Sequence, residues 1–451
     1  MKKLFQRLHT LTNDTTFQSA SWMIFEKMTR LVLGVFVIAL VARHLGPEQF
    51  GDLSFSLALL SILIVISSLG LNRILIRELV SVLEHVADRK NILSSAISMR
   101  IFAGLLLWFG AASLSIFLLP NNWQAVSLVL FSVVFTATDI IDFNQQAESN
   151  VKGISVARTL AFLLSSSIKC LMVWLHAQPI LFFVAITLDY ALTASALVLY
   201  HRINHKHELL KFGLLDGKRA RSLLSESWPE IIAGFGAILF MRMDQIMLKS
   251  ISGAESVGIY SAAIRLSEAW YFLPTAIVAA TFPLIVKSRE QSLSSYYHNI
   301  EMLLAFLVAI ALLFVLAMTL LSQPLIQLIY GDGYLESARV LLVHSLGGIF
   351  LCLGIASGSW LVAEKRLILN LYRNIVGLIV NFSLNLYLIP RYGVEGAAVA
   401  TVAGLATAFF LFDLFHPAMR TMFLMKLRAI VLISLYEKII LNKKTASDLS
   451  K

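Results

Sequence analysis

Inside the apolar stretches of this chain stand charged and amide side chains that hydrocarbon does not tolerate without a reason. The cations are Lys27, Arg30, Arg100, Arg158, Lys169, Arg242, Arg265 and Arg373, and the anions are Glu26, Asp139, Asp142, Asp189, Asp244 and Glu268. Each costs about 2.5–3.5 kcal/mol at the centre of a bilayer, so the bare set would cost on the order of tens of kcal/mol, more than a domain's whole net stability. Such groups pair with one another, snorkel to an interface, or line a wet path for a charged substrate or a coupling ion. Spacing suggests two pairs, because residues three or four apart share a helix face: Glu26 with Arg30, and Arg265 with Glu268. Asn370, Arg373, Asn374, Gly377, Asn381 and Asn385 form a polar stripe at helical spacing, which must face protein or a wet cavity. Helix packing and substrate contact explain that stripe equally well. The run Asp139, Asp142, Gln145, Gln146 and Glu148 reads either as a gate or as a solvated helix end.

The elements that must position these residues follow from hydropathy. About twelve apolar stretches of roughly twenty residues, the length one helix needs to cross a bilayer, centre near Val32, Leu60, Leu107, Val133, Leu164, Ala191, Gly236, Phe272, Phe306, Phe350, Val380 and Gly404. Hydrophobic residues make up 58% of the chain and charged ones 14%, with a mean hydropathy of +0.78, far from a soluble domain. The expected fold is an all-α polytopic membrane protein of about twelve transmembrane helices in two six-helix bundles. Trp228-Pro229 and Leu273-Pro274 are expected kinks, since proline removes a backbone donor.

Lys and Arg set the orientation. Lys2, Lys3 and Arg7, then Arg73, Arg77, Arg89 and Lys90, then Lys152, the Arg202–Arg221 cluster, Lys287 with Arg289, and Lys365 with Arg366 fall on every second connection. Those connections are expected to be cytoplasmic, with both termini inside. The intervening turns at Pro120-Asn121-Asn122, His176-Ala177-Gln178, Gly253 and Gly331-Asp332-Gly333 carry few cations. Residues 1–203 are expected to form the N-terminal bundle, 204–222 a basic cytoplasmic linker, 223–416 the C-terminal bundle and 417–451 a basic cytoplasmic tail. The two halves then run in the same sense, and Gly46-Pro-Glu-Gln-Phe-Gly51 is echoed by Gly253-Ala-Glu-Ser-Val-Gly258 after the seventh stretch, as a parallel internal repeat would give.

The net charge of +10 is accounted for by these loops and the tail rather than by nucleic-acid binding. Cys170 and Cys352 lie within apolar stretches and build no disulfide framework. There is no phosphate-binding glycine loop and no His/Cys metal spacing. The chain is therefore expected not to be an enzyme and to need no metal or other cofactor, with H+ or Na+ coupling, or the downhill use of its substrate, supplying direction.

The run Val41-Ala-Arg-His-Leu-Gly-Pro-Glu-Gln-Phe-Gly51 resembles the first-loop signature of polysaccharide flippases in the multidrug/oligosaccharidyl-lipid/polysaccharide (MOP) exporter superfamily. Asp142–Lys152 leading into Ala157-Arg158, Ile329-Tyr-Gly-Asp-Gly-Tyr334 and Pro390–Ala398 resemble the same family. The resemblance implies a Wzx-type flippase of the bacterial inner membrane. Its substrate would be an undecaprenyl-pyrophosphate-linked oligosaccharide, carried to the periplasmic leaflet for O-antigen or a related surface glycan. It also implies a cationic central cavity, mapped by location onto Arg30, Arg242 and Arg265 with Lys27 and Arg373. Glu26, Asp139, Asp142, Asp189, Asp244, Glu268, Asn374, Asn381 and Asn385 would be its polar or ion-coupling residues. Arginine suits a pyrophosphate and amides suit sugar hydroxyls. Partners would be the lipid-linked oligosaccharide, the bilayer, and the polysaccharide polymerase and chain-length machinery. A MATE-type cation-coupled drug exporter is the alternative, favoured by Asp139, Asp189, Asp244 and Glu268. A membrane glycan polymerase or ligase should carry a large extracytoplasmic loop that this chain lacks, and a non-transporting scaffold has no use for buried charges.

Overall fold

The computed structural model describes residues 15–83, 85–204 and 217–431. Lys2, Lys3 and Arg7, most of the expected linker, and the tail lysines Lys438, Lys443 and Lys444 lie outside the described residues. Every regular element among the described residues is a helix: α1 (Thr15–Ser67), α2 (Leu71–Ser81), α3 (Val86–Leu118), α4 (Trp123–Phe135), α5 (Asp139–Ala147), α6 (Lys152–Trp174), α7 (Pro179–Asn204), α8 (Gly217–Ser252), α9 (Ala254–Ala269), α10 (Phe272–Ser288), α11 (Leu293–Ile329), α12 (Ser337–Ala363), α13 (Leu367–Ala406), α14 (Phe412–Phe415) and α15 (Arg420–Ile430).

Ten helical stretches among the described residues are long and apolar enough to cross a membrane. The expected runs at Val32 and Leu60 both fall in the 61-residue stretch Ser21–Ser81, and those at Val380 and Gly404 both fall in the 49-residue stretch Leu367–Phe415. Between the two expected runs of each stretch the helix is interrupted at one glycine, Gly46 (φ 75°) and Gly393 (φ 52°), and the first stretch turns again at Leu69-Gly70 before α2. The difference between the expected stretches and the continuous helices lies at Gly46 and Gly393. Large apolar side chains such as Phe117 (81% exposed), Leu320 and Leu328 point outward, the reverse of a water-soluble surface and the pattern of a polytopic membrane protein.

Gly46 and Gly253, the paired positions of the sequence echo, adopt nearly the same backbone conformation, with φ of 75° and 91° and an extended ψ. That region is almost confined to glycine. Gly331 adopts it too, at φ 89°, so the shared geometry belongs to helix reversals in general as much as to a repeat. Pro229 lies within α8, whereas Pro274 falls in the first turn of α10, where its missing N–H costs no helical bond. The bend expected at Leu273-Pro274 is therefore a new helix start after Trp270 and Tyr271.

The chain divides into two compact units, Met1–Ile238 and Leu239–Lys451, and α8 begins in the first and ends in the second. In the first unit, Leu75, Leu79, Ile92, Leu93, Ala96 and Ile140 join α2, α3 and α5 in one apolar cluster. In the second, Leu304, Val308, Leu353, Ala356, Trp360, Met422 and Met425 join α11, α12 and α15. Lys426, expected in the basic cytoplasmic tail at the leaflet surface, is instead fully buried in α15 and pairs with Asp413 at 2.6 Å, both side chains at 0% exposure. Its ammonium also donates to the Phe409 carbonyl at 2.6 Å. Phe409 lies in a π-helical turn, Thr407–Leu411, where the ordinary ladder of backbone bonds shifts.

Removing one partner of such a buried pair leaves a bare charge, typically at a cost of about 3–5 kcal/mol. Lys426→Met is expected to lower the unfolding temperature of the detergent-solubilised protein sharply, and adding Asp413→Leu to recover most of the loss. Fluorescence-detected thermal unfolding of the three proteins measures both.

Candidate functional site

In the first unit the site residues gather where α4 ends. Thr136 and Thr138 donate their hydroxyls back to the Val133 and Phe135 carbonyls, at 2.7 and 2.8 Å. Such back-bonding loosens a helix, and a short 3-10 turn, Thr136–Thr138, sets α5 off with Asp139 and Asp142 in its first turn. Both carboxylates meet Arg158 of α6, at 2.6 Å from Asp139 and 2.9 Å from Asp142. Gln146 donates to Asp142 at 3.2 Å. From α1, the expected local pair forms: Arg30 Nε lies 3.4 Å from Glu26. Arg30 also donates to the Arg158 carbonyl at 3.1 Å and lies over the Phe162 ring at 5.5 Å. Lys27 is exposed beside them. Lys169 and Asp189 close a second pair between α6 and α7 at 2.7 Å.

Two centres occupy the second unit. In the first, Arg242 of α8 holds Glu268 of α9 two-handed, at 3.3 and 3.2 Å. Spacing offers Glu268 to Arg265, and the fold supplies Arg242 from another helix as well. Arg265 is half-buried one turn before Glu268. In the second, Asp244 is 2% exposed and accepts from Tyr260 at 2.6 Å, from Asn385 at 2.6 Å and from Thr401. Asn385 also donates to Asn381 at 3.2 Å, and the Tyr260 and Thr401 hydroxyls lie 3.1 Å apart. The Asp244 carboxylate is thus ringed by two hydroxyls and an amide drawn from α9 and α13.

The polar stripe of α13 packs inside the second unit. Gly377 lies against Ala408 and the Gly404 carbonyl, and Gly404 lies against Asn381. Any larger side chain at either glycine would collide, since a Cβ on Gly377 would stand 2.6 Å from Ala408. Asn374 donates to the Asn370 carbonyl of its own helix at 2.7 Å. Arg373, 2% exposed, donates to Asn370 Oδ1 at 2.9 Å, Ser357 Oγ at 2.7 Å and the Gly354 carbonyl at 3.0 Å, and stacks on Phe409 at 4.9 Å. These contacts tie α12 to α13. Participants outside the expected site set include Arg158 and Lys169, which are visible in the sequence as charges within spans, and Tyr260, Thr401 and Ser357, which carry no charge to reveal them.

Two all-helical units with charges paired in their interiors define a multi-pass membrane protein of MATE-like fold. The fold is similar to that of a multidrug resistance MATE family transporter of the MOP superfamily in an inward-facing conformation, with a TM-score of 0.63 at 13% identity over 90% of this chain and 95% of that one. Residues 17–289 match the family described as polysaccharide biosynthesis protein, and the chain belongs to that family. Among its relatives are the Shigella flexneri protein named "Putative O-antigen transporter", 20% identical over 85% of this chain and 93% of its own, and the Haloferax volcanii "Probable low-salt glycan biosynthesis flippase Agl15", 24% identical over 42% of this chain and 40% of its own.

Because Arg158 is the cation that contacts both Asp139 and Asp142, Arg158→Met is expected to destabilise the protein by about 3–5 kcal/mol. Asp139→Asn with Asp142→Asn on that background should restore much of the stability. Thermal unfolding in detergent reads both changes, and equal unfolding temperatures for wild type and Arg158→Met would remove Arg158 from the centre of this network.

Proposed function

We propose that the protein is a flippase of the bacterial inner membrane that carries an undecaprenyl-pyrophosphate-linked oligosaccharide, an O-antigen or related repeat unit, from the cytoplasmic to the periplasmic leaflet. The observation that carries this reading is membership of the polysaccharide biosynthesis family over residues 17–289, and the relative named for O-antigen transport supports it along nearly its whole length. The chemistry agrees. A pyrophosphate and a sugar head group cannot cross about 30 Å of hydrocarbon unaided, while guanidinium groups take phosphate oxygens in pairs.

In this reading the groups able to take phosphate oxygens are Arg30 and Lys27 in the first unit and Arg242 and Arg265 in the second. Glu26 and Glu268 hold Arg30 and Arg242 between transport events, so substrate exchanges one anion for another. Arg373 serves instead as the tie between α12 and α13. Asp244, with Asn385, Asn381 and Thr401, takes up H+ or Na+ and couples the cycle to a gradient. Both termini lie in the cytoplasm, and the polymerase and chain-length machinery receive the product. The MATE-like fold favours a second reading as a cation-coupled drug exporter, in which Asp189 and Asp244 would carry the substrate.

Gene deletion separates the two. The flippase reading expects loss of the surface polysaccharide, with its lipid-linked unit accumulating on the cytoplasmic leaflet; unchanged polysaccharide with altered sensitivity to cationic drugs would favour the exporter. In the complemented strain, Arg30→Ala and Arg265→Ala should abolish export while the protein still inserts, and Lys218→Ala should change little. Normal export by both alanine variants at native expression would end the assignment of these arginines. Asp244→Asn should abolish the dependence of export on the proton or sodium gradient, measured by imposing each gradient separately on inverted vesicles.

A further inference from the structure

One pocket of the second unit, of about 560 Å³ and within the range of small-molecule sites, is not used in the transport reading above. It is lined by residues that follow two of the glycine turns singled out in the sequence, Ser256 after Gly253 and Leu335 and Glu336 after Gly331-Asp332-Gly333, by the break in α13 at Gly393, and by Gln323 near the end of α11. The orientation expected from the sequence puts this end on the extracytoplasmic side, although Lys249 and Arg391 lie near it.

The lining is polar and of a particular kind. Gln323 comes from the last turns of α11, Glu336 and Arg339 from the start of α12, Tyr392 and Glu395 from either side of the α13 break, and Ser256 from the first turn of α9. Glu336 and Arg339 stand three residues apart on one helix face. Arg339 lies 3.4 Å from Glu395, yet its side chain is 81% exposed, so most of its donors remain open. Tyr392 is exposed and offers a flat ring. Carboxylates that accept, an amide that does both, a guanidinium that donates and an aromatic face are the groups that match the alternating hydroxyls and apolar C–H face of a sugar ring. The opposite charges at the rim suit a neutral, hydroxyl-rich ligand better than an anion, which would meet both glutamates.

We propose that this pocket is a carbohydrate-binding site on the extracytoplasmic face, taking sugar residues of the glycan after translocation. The proposal rests on the flippase reading for its biological sense but on a different set of residues. Sugar stacked on Tyr392 and hydrogen-bonded to Glu336 and Glu395 would favour the outward step and slow return.

The test uses the full chain in lipid nanodiscs and, as probe, oligosaccharides released by mild acid from the host's own surface polysaccharide. Saturation-transfer NMR is expected to show transfer from the protein to the sugar ring protons. Tyr392→Ala should weaken binding about tenfold, Tyr392→Phe should retain it, and Glu336→Gln with Glu395→Gln should weaken it to a similar degree, carrying the test if the alanine variant does not elute as a single species. No transfer with the wild type, or wild-type affinity in both the alanine and the double variant, would overturn the proposal. So would a photo-crosslinker at Arg339 that captures a protein in cells while the probe shows no transfer. The same protein is assayed for restoring polysaccharide export in the deletion strain. Export restored without sugar transfer rejects the pocket alone, and export unaffected by the deletion rejects the flippase reading.

Discussion

The cost of a bare charge in a low-dielectric interior organises this protein. A helix that must lie in hydrocarbon can carry an arginine or aspartate only if another element brings the opposite charge or enough hydrogen bonds to it. Several of the described charges meet this in two ways, while Arg100, 3% exposed, is instead set over the Phe143 ring at 5.9 Å. Some are neutralised by a neighbour in the next helix, as Lys169 is by Asp189 and Lys426 by Asp413. Others are hydrogen-bonded by neutral groups: Asp244 by hydroxyls and an amide, Arg373 by an amide oxygen, a hydroxyl and a carbonyl. Each solution fixes which helices must be neighbours. Helix adjacency in an environment without a strong hydrophobic drive between helices is then set by polar contacts and small residues, as where Gly377 and Gly404 let the two parts of α13 approach.

Irregular backbone appears where a side chain can pay its cost. The π-helical turn at Thr407–Leu411 shifts the hydrogen-bond ladder, and the ammonium of Lys426 satisfies the Phe409 carbonyl. The 3-10 turn ahead of Asp139 is accompanied by two threonine hydroxyls bonded to carbonyls of the preceding turn. In hydrocarbon such breaks survive only with partners of this sort. Both breaks adjoin charged groups, which ties the local irregularity to the placement of Asp139, Asp142 and Asp413.

How much was legible in advance depended on distance along the chain. Glu26 and Arg30, one turn apart, could be paired by counting. The helical class and the apolar runs could be read from hydropathy, but not where two runs share one nearly continuous helix, because a single glycine at 46 or 393 makes the difference. The partners of Asp244 could not be found by counting: Asn385 lies 141 residues away and Thr401 157, and a tyrosine or threonine in an apolar span has no sequence mark of a buried carboxylate's donor. Glu268 illustrates the limit of local pairing, since Arg265 has suitable spacing and Arg242 still takes the carboxylate with both nitrogens. Lys426 was misplaced because a lysine beyond the last apolar run, among arginines, reads as an interfacial cation; its partner Asp413 is only 13 residues back, but the chain turns at His416 and Pro417 between them.

The buried cations differ in what a ligand would have to displace. Arg373 has all three guanidinium nitrogens engaged inside the bundle and is almost wholly covered, so a phosphate could reach it only by breaking bonds that hold α12 to α13. Arg158 faces two carboxylates, and an arriving anion would add a like charge beside them. Arg30 and Arg242 are different: each has one carboxylate partner, and their side chains keep 33% and 23% of their surface open. Their desolvation is partial, and their ion pairs are correspondingly weaker. An anion with two oxygens can replace the carboxylate at either arginine while preserving the geometry of the contact. An anion bound there would exchange one charge-assisted pair for another and leave the helix packing intact.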